Sequence, residues 1–523
     1  MNRRLGCCVL GGLSAAIGNI CAAGTDIFFN PLQESARVST PNSVFELNQP
    51  YVVPPGLSQE NLTSLLEAET KANNSMLRVA GVGNSSSMID MSSFDPSGRF
   101  VFLPHETPFS AGVSRYDIRN DRVEILFHGD GGGASGNWAN DYGAFDPSTW
   151  TTHDTLFLAE EWTAEGRVIE VMNPFAPADQ IQIREVESLA NVAHEGLRFS
   201  ADENTLYFID EWNSGGFYKF VLKNRNSYDV GQTFVLKVDA YEGDPAENYN
   251  HESNVANRTG MATWIPLTDK QGNPLTSIDP FRNGPTSDPK TDPDARGGRG
   301  AADEVGATPY GRPEDMEVGR LRNGNEVLYV AVTSEHAIYA IEELGGTRAR
   351  VWIAADRNTP KNVGFPMTSG QLDSPDNLAQ DALGNIYIIE DQPNSSNIGG
   401  DVWFLRDVDS DGVAESLDHF MSLLADGSEA TGMIFNPVKP TQFVLSVMHP
   451  DSADGSVYPA GQGFGDALWL YDLKGIVPPP CEREGRYFFG SKSTCSDYRD
   501  FTFVKLLEHA NRPWWKRLWK LGW

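Results

Sequence analysis

The chain has 523 residues, with 41 Lys and Arg against 71 Asp and Glu and a formal net charge of −30. That balance leaves no basic stripe to neutralise nucleic-acid phosphates, and it favours cation binding or a solvated acidic surface. With 50 Gly and 32 Pro the composition fits many strands and turns rather than helices, and the length suits two or three ordinary domains or one large all-β domain.

Residues 1–23 read as an export signal. Arg3-Arg4 gives a charged start, Cys7 to Ile20 is mostly apolar and small, and Cys21-Ala22-Ala23 offers a small-residue cleavage site. The stretch is too short and too rich in Gly and Ala to span a bilayer. A twin-arginine or general secretory signal predicts a periplasmic or extracellular protein. Of the five cysteines, Cys7, Cys8 and Cys21 lie in this signal, which leaves Cys481 and Cys495 as a candidate disulfide in an oxidising compartment. An N-terminal segment, 24–84, is interrupted by Pro54-Pro55-Gly56. It is expected to hold a helix from Ser58 to Lys71, with Leu62, Leu65 and Leu66 at helical spacing.

From Met88 a repeating unit begins. Phe94-Asp95-Pro96-Ser97-Gly98 is turn chemistry, and Phe100-Val101-Phe102-Leu103 is a strand. The unit returns at Phe199 to Ile209, Arg322 to Val330, Asp381 to Ile389 and Phe435 to Leu445, usually followed by a second strand signal such as Asp401-Val402-Trp403-Phe404-Leu405. Repeated hairpin units of this kind predict an all-β fold, a β-propeller over 85–472 with long insertions and a few peripheral helices. The longest insertion covers 239–310. Residues 473–523 form a tail whose last twelve residues, Arg512 to Trp523, are basic and aromatic and suit contact with a membrane surface.

In a propeller the loops at one end of every blade converge on the axis. Carboxylate-bearing pairs stand at such positions: His105-Glu106, Glu160-Glu161, His194-Glu195, Asp210-Glu211, Glu314-Asp315, Asp376-Asn377 and Glu390-Asp391. Brought together they would repel unless cations sat among them, and their hard oxygens select Ca²⁺, Mg²⁺, Mn²⁺ or ferric iron. In Gly311-Arg312-Pro313-Glu314-Asp315 a guanidinium beside two carboxylates suits an anion held over a metal. Asp407, Asp409 and Asp411, followed by Gly412, match the start of a calcium loop, although Glu415 closes it too early for an EF-hand. No Gly-x-Ser-x-Gly elbow, P-loop or His-Glu-x-x-His is present.

Taken in order, His105-Glu106, Ala111 to Arg115, Ala193-His194-Glu195, Arg312-Pro313-Glu314-Asp315, Ser374 to Leu378, Glu390-Asp391 and Gly427-Ser428-Glu429 with Thr431-Gly432 resemble the PhoX-type alkaline phosphatases. The resemblance covers roughly residues 85–472. It implies six blades, export, and hydrolysis of small-molecule phosphate monoesters at a calcium and iron site. Within it Glu106, Glu160, Glu195 and Glu314 would be metal ligands, with Glu314 also catalytic. Asp315, Asp376 and Glu390 would add further oxygens. Arg312 would be catalytic and would hold the phosphate. The family's iron-binding stretch reads Cys-Glu-Glu where this chain has Ala159-Glu160-Glu161, so calcium is expected and ferric iron only if another ligand replaces the thiolate. A calcium-dependent ester or lactone hydrolase, and a non-catalytic binding propeller stabilised by calcium, remain the alternatives.

Overall fold

The structure, a computed structural model, describes residues 27–37, 49–72, 88–250, 257–281, 297–391, 398–425, 427–450, 466–476, 480–483 and 486–489. The expected export signal, the Cys481–Cys495 pairing, the Arg512–Trp523 tail and parts of the insertion lie outside them.

Two strands, β1 (Tyr51–Val52) and β2 (Ser58–Ser64), and helix α1 (Leu65–Ala72) come first. The first blade holds β3 (Ser93–Phe94), β4 (Phe100–His105), β5 (Gly112–Asp117) and β6 (Arg122–His128). The second holds β7 (Phe145–Trp150), β8 (Leu156–Gly166), β9 (Val168–Val171) and β10 (Ile183–Glu185). The third holds β11 (Val192–Phe199), β12 (Thr205–Asp210), β13 (Phe217–Asn224) and β14 (Ser227–Val238). The insertion contributes β15 (Gly260–Pro266) and α2 (Gly297–Glu304). The fourth blade holds β16 (Pro313–Arg320), β17 (Glu326–Val332), β18 (Ala337–Gly345) and β19 (Arg348–Asp356). The fifth holds β20 (Pro375–Gln380), β21 (Ile386–Glu390), β22 (Asp401–Arg406) and β23 (Ser416–Leu423). The sixth holds β24 (Glu429–Phe435), β25 (Gln442–Met448) and β26 (Ala467–Asp472). A hairpin of β27 (Pro480–Arg483) and β28 (Arg486–Phe489) follows.

The outer strand of the sixth blade is β2, from the N-terminal segment, paired antiparallel to β26 from Ser58↔Asp472 to Ser64↔Ala467. Here the structure corrects the expected helix: residues 58–64 are strand, and the helix begins only at Leu65. The free edge of β26 offers a row of unpaired backbone groups, and pairing with it outweighs local helical spacing. Leu62 packs with Val444 and Leu468, whereas Leu66 stays 49% exposed. Strand β1 likewise extends the fifth blade against β23. The N-terminal residues thus close the ring. In the insertion, β15 pairs with both β14 and β19 and ties the third blade to the fourth.

Period-two alternation sends neighbouring side chains to opposite faces of each blade, so the core lies between blades. Along β8, Leu158 packs with Phe102 and Val113 of the first blade, while Ala159 packs with Val192 and Leu197 of the third. Similar apolar layers separate each later pair, the last joining Phe94 and Leu103 to Val444. Each fully buried large apolar side chain contributes about 1.5–3 kcal/mol.

The innermost strands share one irregularity. The register of β7 on β8 shifts between Phe145 and Ser148, of β11 on β12 between His194 and Leu197, and of β16 on β17 between Pro313 and Met316. The same shift falls between Pro375 and Leu378 in β20 and between Thr431 and Ile434 in β24. A bulge adds one residue to one strand and re-aims the side chains there. At the sixth bulge Gly432 has φ +65°, and a Cβ would lie 2.6 Å from Asp90 O, so a side chain is excluded where first and last blades meet.

Candidate active site

Inner strands deliver one set of carboxylates to the axis from these bulges: Asp146, Glu195, Glu314 and Asp376, with Asp90 ahead of β3 and Glu429 opening β24. The ends of the second strands deliver another: Glu106 after β4, Glu161 in β8, Glu211 after β12 and Asp391 after β21. Thr333 and His449 take the corresponding places in the fourth and sixth blades. His449 Nδ1 donates to Gly427 O at 2.8 Å, and its Nε2 lies 3.3 Å from Glu429.

Three triads have oxygens within 4.8 Å of one another: Asp146, Glu161 and Glu195; Glu195, Glu211 and Glu314; and Asp376, Asp391 and Glu429. Glu195 belongs to two of them. Asp146 Oδ1 and Glu195 Oε2 are buried and accept no hydrogen bond among the described residues, whereas Glu314 Oε1 faces the Arg312 Nε at 3.1 Å. Buried carboxylate oxygens without donors are costly as anions. A hard divalent cation satisfies them, and the donor set of these triads is oxygen only.

The electrostatics agree. Burial pushes the carboxyls of Asp146, Glu161, Glu195, Glu314, Asp376 and Glu429 well above the usual range, and neighbouring carboxylates push in the same direction. Burial, with Asp391 and Asp315 nearby, raises Asp90 to about 7. Burial works to raise Glu211 as well, but the Arg312 guanidinium prevails and holds it below its ordinary value.

Arg312 reaches into this ring. Its Nε donates to Glu211 and lies 3.1 Å from Glu314, and its Nη1 stands 3.8 Å from Asp391. Among the described residues Nη1 and Nη2 donate no hydrogen bond. The guanidinium is therefore anchored at Nε and presents its outer fork, a shape that matches an oxyanion bidentately.

The structure brings Glu106, Glu195, Glu314, Asp376 and Arg312 together, and it corrects three expected ligands. Glu160 is fully buried on the opposite face of β8, bound by Arg167 Nε and Nη2 at 2.7 Å each; its neighbour Glu161 faces the axis. Asp315 accepts from Arg198 at 3.0 Å and from Leu378 N at 3.2 Å, between blades. Glu390 accepts from Asp373 N, Asp401 N and Trp403 Nε1, and Asp391 takes the axial place. In the Glu160–Glu161, Asp210–Glu211, Glu314–Asp315 and Glu390–Asp391 pairs one member faces the axis and the other is buried against a donor. His194, beside Glu195, is instead packed on Phe208, and burial lowers it to about 3.

Sequence reasoning missed Asp90 and Asp146, and it marked Glu161, Glu211 and Asp391 only as members of acidic pairs and Glu429 only within a motif. Ala159 lies in the apolar layer with Val168 and Ala301, two residues from Glu161 on the same face. In the peripheral loop, Asp407, Asp409 and Glu415 have oxygens within 4.8 Å. Asp411 is instead turned to Val413 N and lies 3.6 Å from Arg322.

A ring of carboxylates around one guanidinium, at the axis of a six-bladed propeller, can hold cations and an oxyanion side by side. A family model described as Alkaline phosphatase PhoX matches residues 126–451. The chain belongs to this family, whose members are phosphoric monoester hydrolases. Among solved structures it is similar to Pseudomonas fluorescens PhoX in complex with vanadate, a transition state analogue. The two are 16% identical over 86% of this chain and 99% of that one, with a TM-score of 0.54, a likeness of fold. A protein of unknown function from Bacteroides thetaiotaomicron aligns at 11% identity over 80% and 76% of the two chains, TM-score 0.39. A gluconolactonase from Xanthomonas campestris aligns at 9% over 85% and 96%, TM-score 0.35. No curated protein matches the chain.

Proposed function

We propose that this phosphatase works at the axial carboxylate ring loaded with calcium, with Arg312 gripping the phosphate. The observation that supports it is the pair of triads sharing Glu195, with Glu314 of the second 3.1 Å from Arg312 Nε. Cations bound there would supply neutralisation of charge developing on the phosphoryl oxygens. The chain's own residues do the rest. Asp146, Glu161, Glu195, Glu211 and Glu314 would hold cations on one side, and Asp376, Asp391 and Glu429 on the other. Glu211 fixes the Arg312 Nε, so the outer fork is oriented before substrate arrives and little freedom is lost on binding. The Thr431 hydroxyl lies within hydrogen-bond distance of both Asp90 and Asn377, which fastens the floor of the ring between blades five, six and one.

With Ala159 in apolar packing, the thiolate–iron bond implied by the resemblance has no counterpart there. Any ferric ion in the three triads would be held by oxygens alone. The export signal read in residues 1–23 places this activity in the periplasm or outside the cell. The loop of Asp407, Asp409 and Glu415 is a candidate structural calcium site at the periphery.

The test compares two chromogenic substrates on one cation-loaded sample. The expected result is turnover of p-nitrophenyl phosphate, competitively inhibited by vanadate, with little turnover of p-nitrophenyl acetate or a lactone. Hydrolysis of the carboxylic ester or lactone without the phosphate would overturn the proposal and select the other hydrolase reading.

A further inference from the structure

The insertion between the third and fourth blades sends two arginines into the protein interior. The Arg258 and Arg299 side chains are each only 1% exposed. Arg299, on α2, binds Asp210 through Nε and Nη2 at 2.6 and 2.5 Å. Arg258 binds Glu335 through Nη1 and Nη2 at 2.5 and 2.7 Å. Neither carboxylate belongs to the axial ring, but each is fastened to a neighbour of a residue that does.

Asp210 directly precedes Glu211, and the Arg299 guanidinium stacks 4.8 Å over the Trp212 ring that follows. Trp212 O accepts from Arg312 N at 2.9 Å. On the other side, Glu335 Oε1 accepts from Gly311 N at 2.7 Å, one residue before Arg312. The turn carrying Glu335 adds Thr333 N→Arg312 O and Ser334 N→Gly311 O, both at 3.0 Å. The two clamps therefore end on the two members of one ion pair, Glu211 and Arg312.

The corner leaves no slack. Arg312 has φ +61°, which a non-glycine side chain holds only when its surroundings over-determine it. A Cβ on Gly311 would lie 2.3 Å from Tyr249 O, also in the insertion. The Arg258 guanidinium in turn packs 4.0 Å over the Tyr249 ring. A buried ion pair is by itself weak evidence for stability, because desolvation offsets its attraction. Two of them converging on a single contact fit a positioning role better.

We propose that Arg258 and Arg299 are positioning residues for phosphate binding. Through Glu335 and Gly311 on one side, and Asp210 and Trp212 on the other, they hold Arg312 in register with Glu211. The insertion is thereby a working part of the site. This rests on the reading of Arg312 as the phosphate grip.

The test uses Arg258→Lys and Arg299→Lys, each made alone and in an Arg312→Ala background. Inorganic phosphate binding is measured by calorimetry on calcium-loaded protein, together with KM and kcat for p-nitrophenyl phosphate. Either lysine variant should weaken phosphate binding about tenfold, raise KM more than it lowers kcat, and leave calcium content unchanged. In the Arg312→Ala background neither should have further effect on phosphate binding. A merely structural role would give losses that add in both backgrounds. Such additivity, or undiminished phosphate binding by a folded lysine variant, would overturn the proposal. If one lysine variant does not fold, the other carries the same cycle. If the wild type binds no phosphate, the reading of Arg312 fails on its own account. The positioning claim is then decided by a crystal structure of the lysine variant: Arg312 displaced from Glu211 supports it, and Arg312 unmoved overturns it.

Discussion

Arg312 touches the axial carboxylates at Nε and leaves its outer fork toward them, so its removal should be felt by the phosphoryl group rather than by the fold. Arg312→Ala is expected to lower kcat/KM for p-nitrophenyl phosphate by about 100-fold or more, the usual cost of losing a donor to a developing oxyanion, in a protein that still folds and melts cooperatively when loaded with calcium. Unchanged turnover would remove Arg312 from the mechanism. The adjacent glutamates of β8 make a sharper contrast. Glu161→Gln should lower the bound calcium, read by elemental analysis, and leave stability nearly intact. Glu160→Gln breaks the buried pair with Arg167 and should cost about 3–5 kcal/mol in a denaturant titration, while a protein that still folds keeps its calcium. The sequence marks such pairs well but not which member faces the axis. Glu160, Asp315 and Glu390 were expected as ligands and are instead held by Arg167, by Arg198, and by backbone and indole N–H groups. Parity along a strand is legible only once its register is known, and a bulge shifts that register by one.

The bulged inner strand is the repeating element that builds the site. In four blades the residue at the bulge stands five positions before a turn residue that fastens the following loop: Asp146 and Thr151, Glu195 and Ser200, Asp376 and Asp381, Thr431 and Asn436; Asp90, ahead of β3, keeps the same distance from Asp95. In the fourth blade Glu314 stands seven before Leu321, one strand period more. The turn residues hold those loops with their side chains, as Asp381 does for Leu383 N and Asn385 N. That spacing was present in the sequence and would have found Asp90 and Asp146, which carry no acidic neighbour to draw attention. The blades themselves were legible because turn chemistry and apolar runs recur locally. The strand at 58–64 was not, because its partner β26 lies some four hundred residues away. If the bulges set the ring, Gly432→Ala is expected to destabilise by about 1–3 kcal/mol, since its φ is strained for a side chain and its Cβ meets Asp90 O. It should also reduce calcium content by shifting Glu429, three residues earlier on the same strand and a member of the third triad. Full calcium retention in a destabilised variant would show that the sixth bulge serves closure alone.

Across the whole molecule the ring gathers ten carboxylates around one guanidinium, and the fold tolerates this only if cations or protons neutralise them. The sign is fixed by the raised values. A carboxyl raised in the folded state contributes stability below its unfolded pKa and loses it as pH rises through the folded one. For Asp90 that window runs from about 4 to about 7. Chelated protein is therefore expected to lose thermal stability as pH rises across this window, and added calcium should restore it most at the upper end. A melting temperature independent of pH and calcium would contradict a cation-filled ring. No helix among the described residues is long and apolar enough to cross a membrane.

The most direct measurement takes the cation content of the purified protein by elemental analysis and, on the same sample, p-nitrophenyl phosphate turnover before and after chelation. The account predicts bound calcium, loss of turnover when it is stripped, and recovery when calcium returns. Turnover that survives complete removal of the metals would contradict it, because the axial carboxylates would then have no cation to hold and no part in the chemistry.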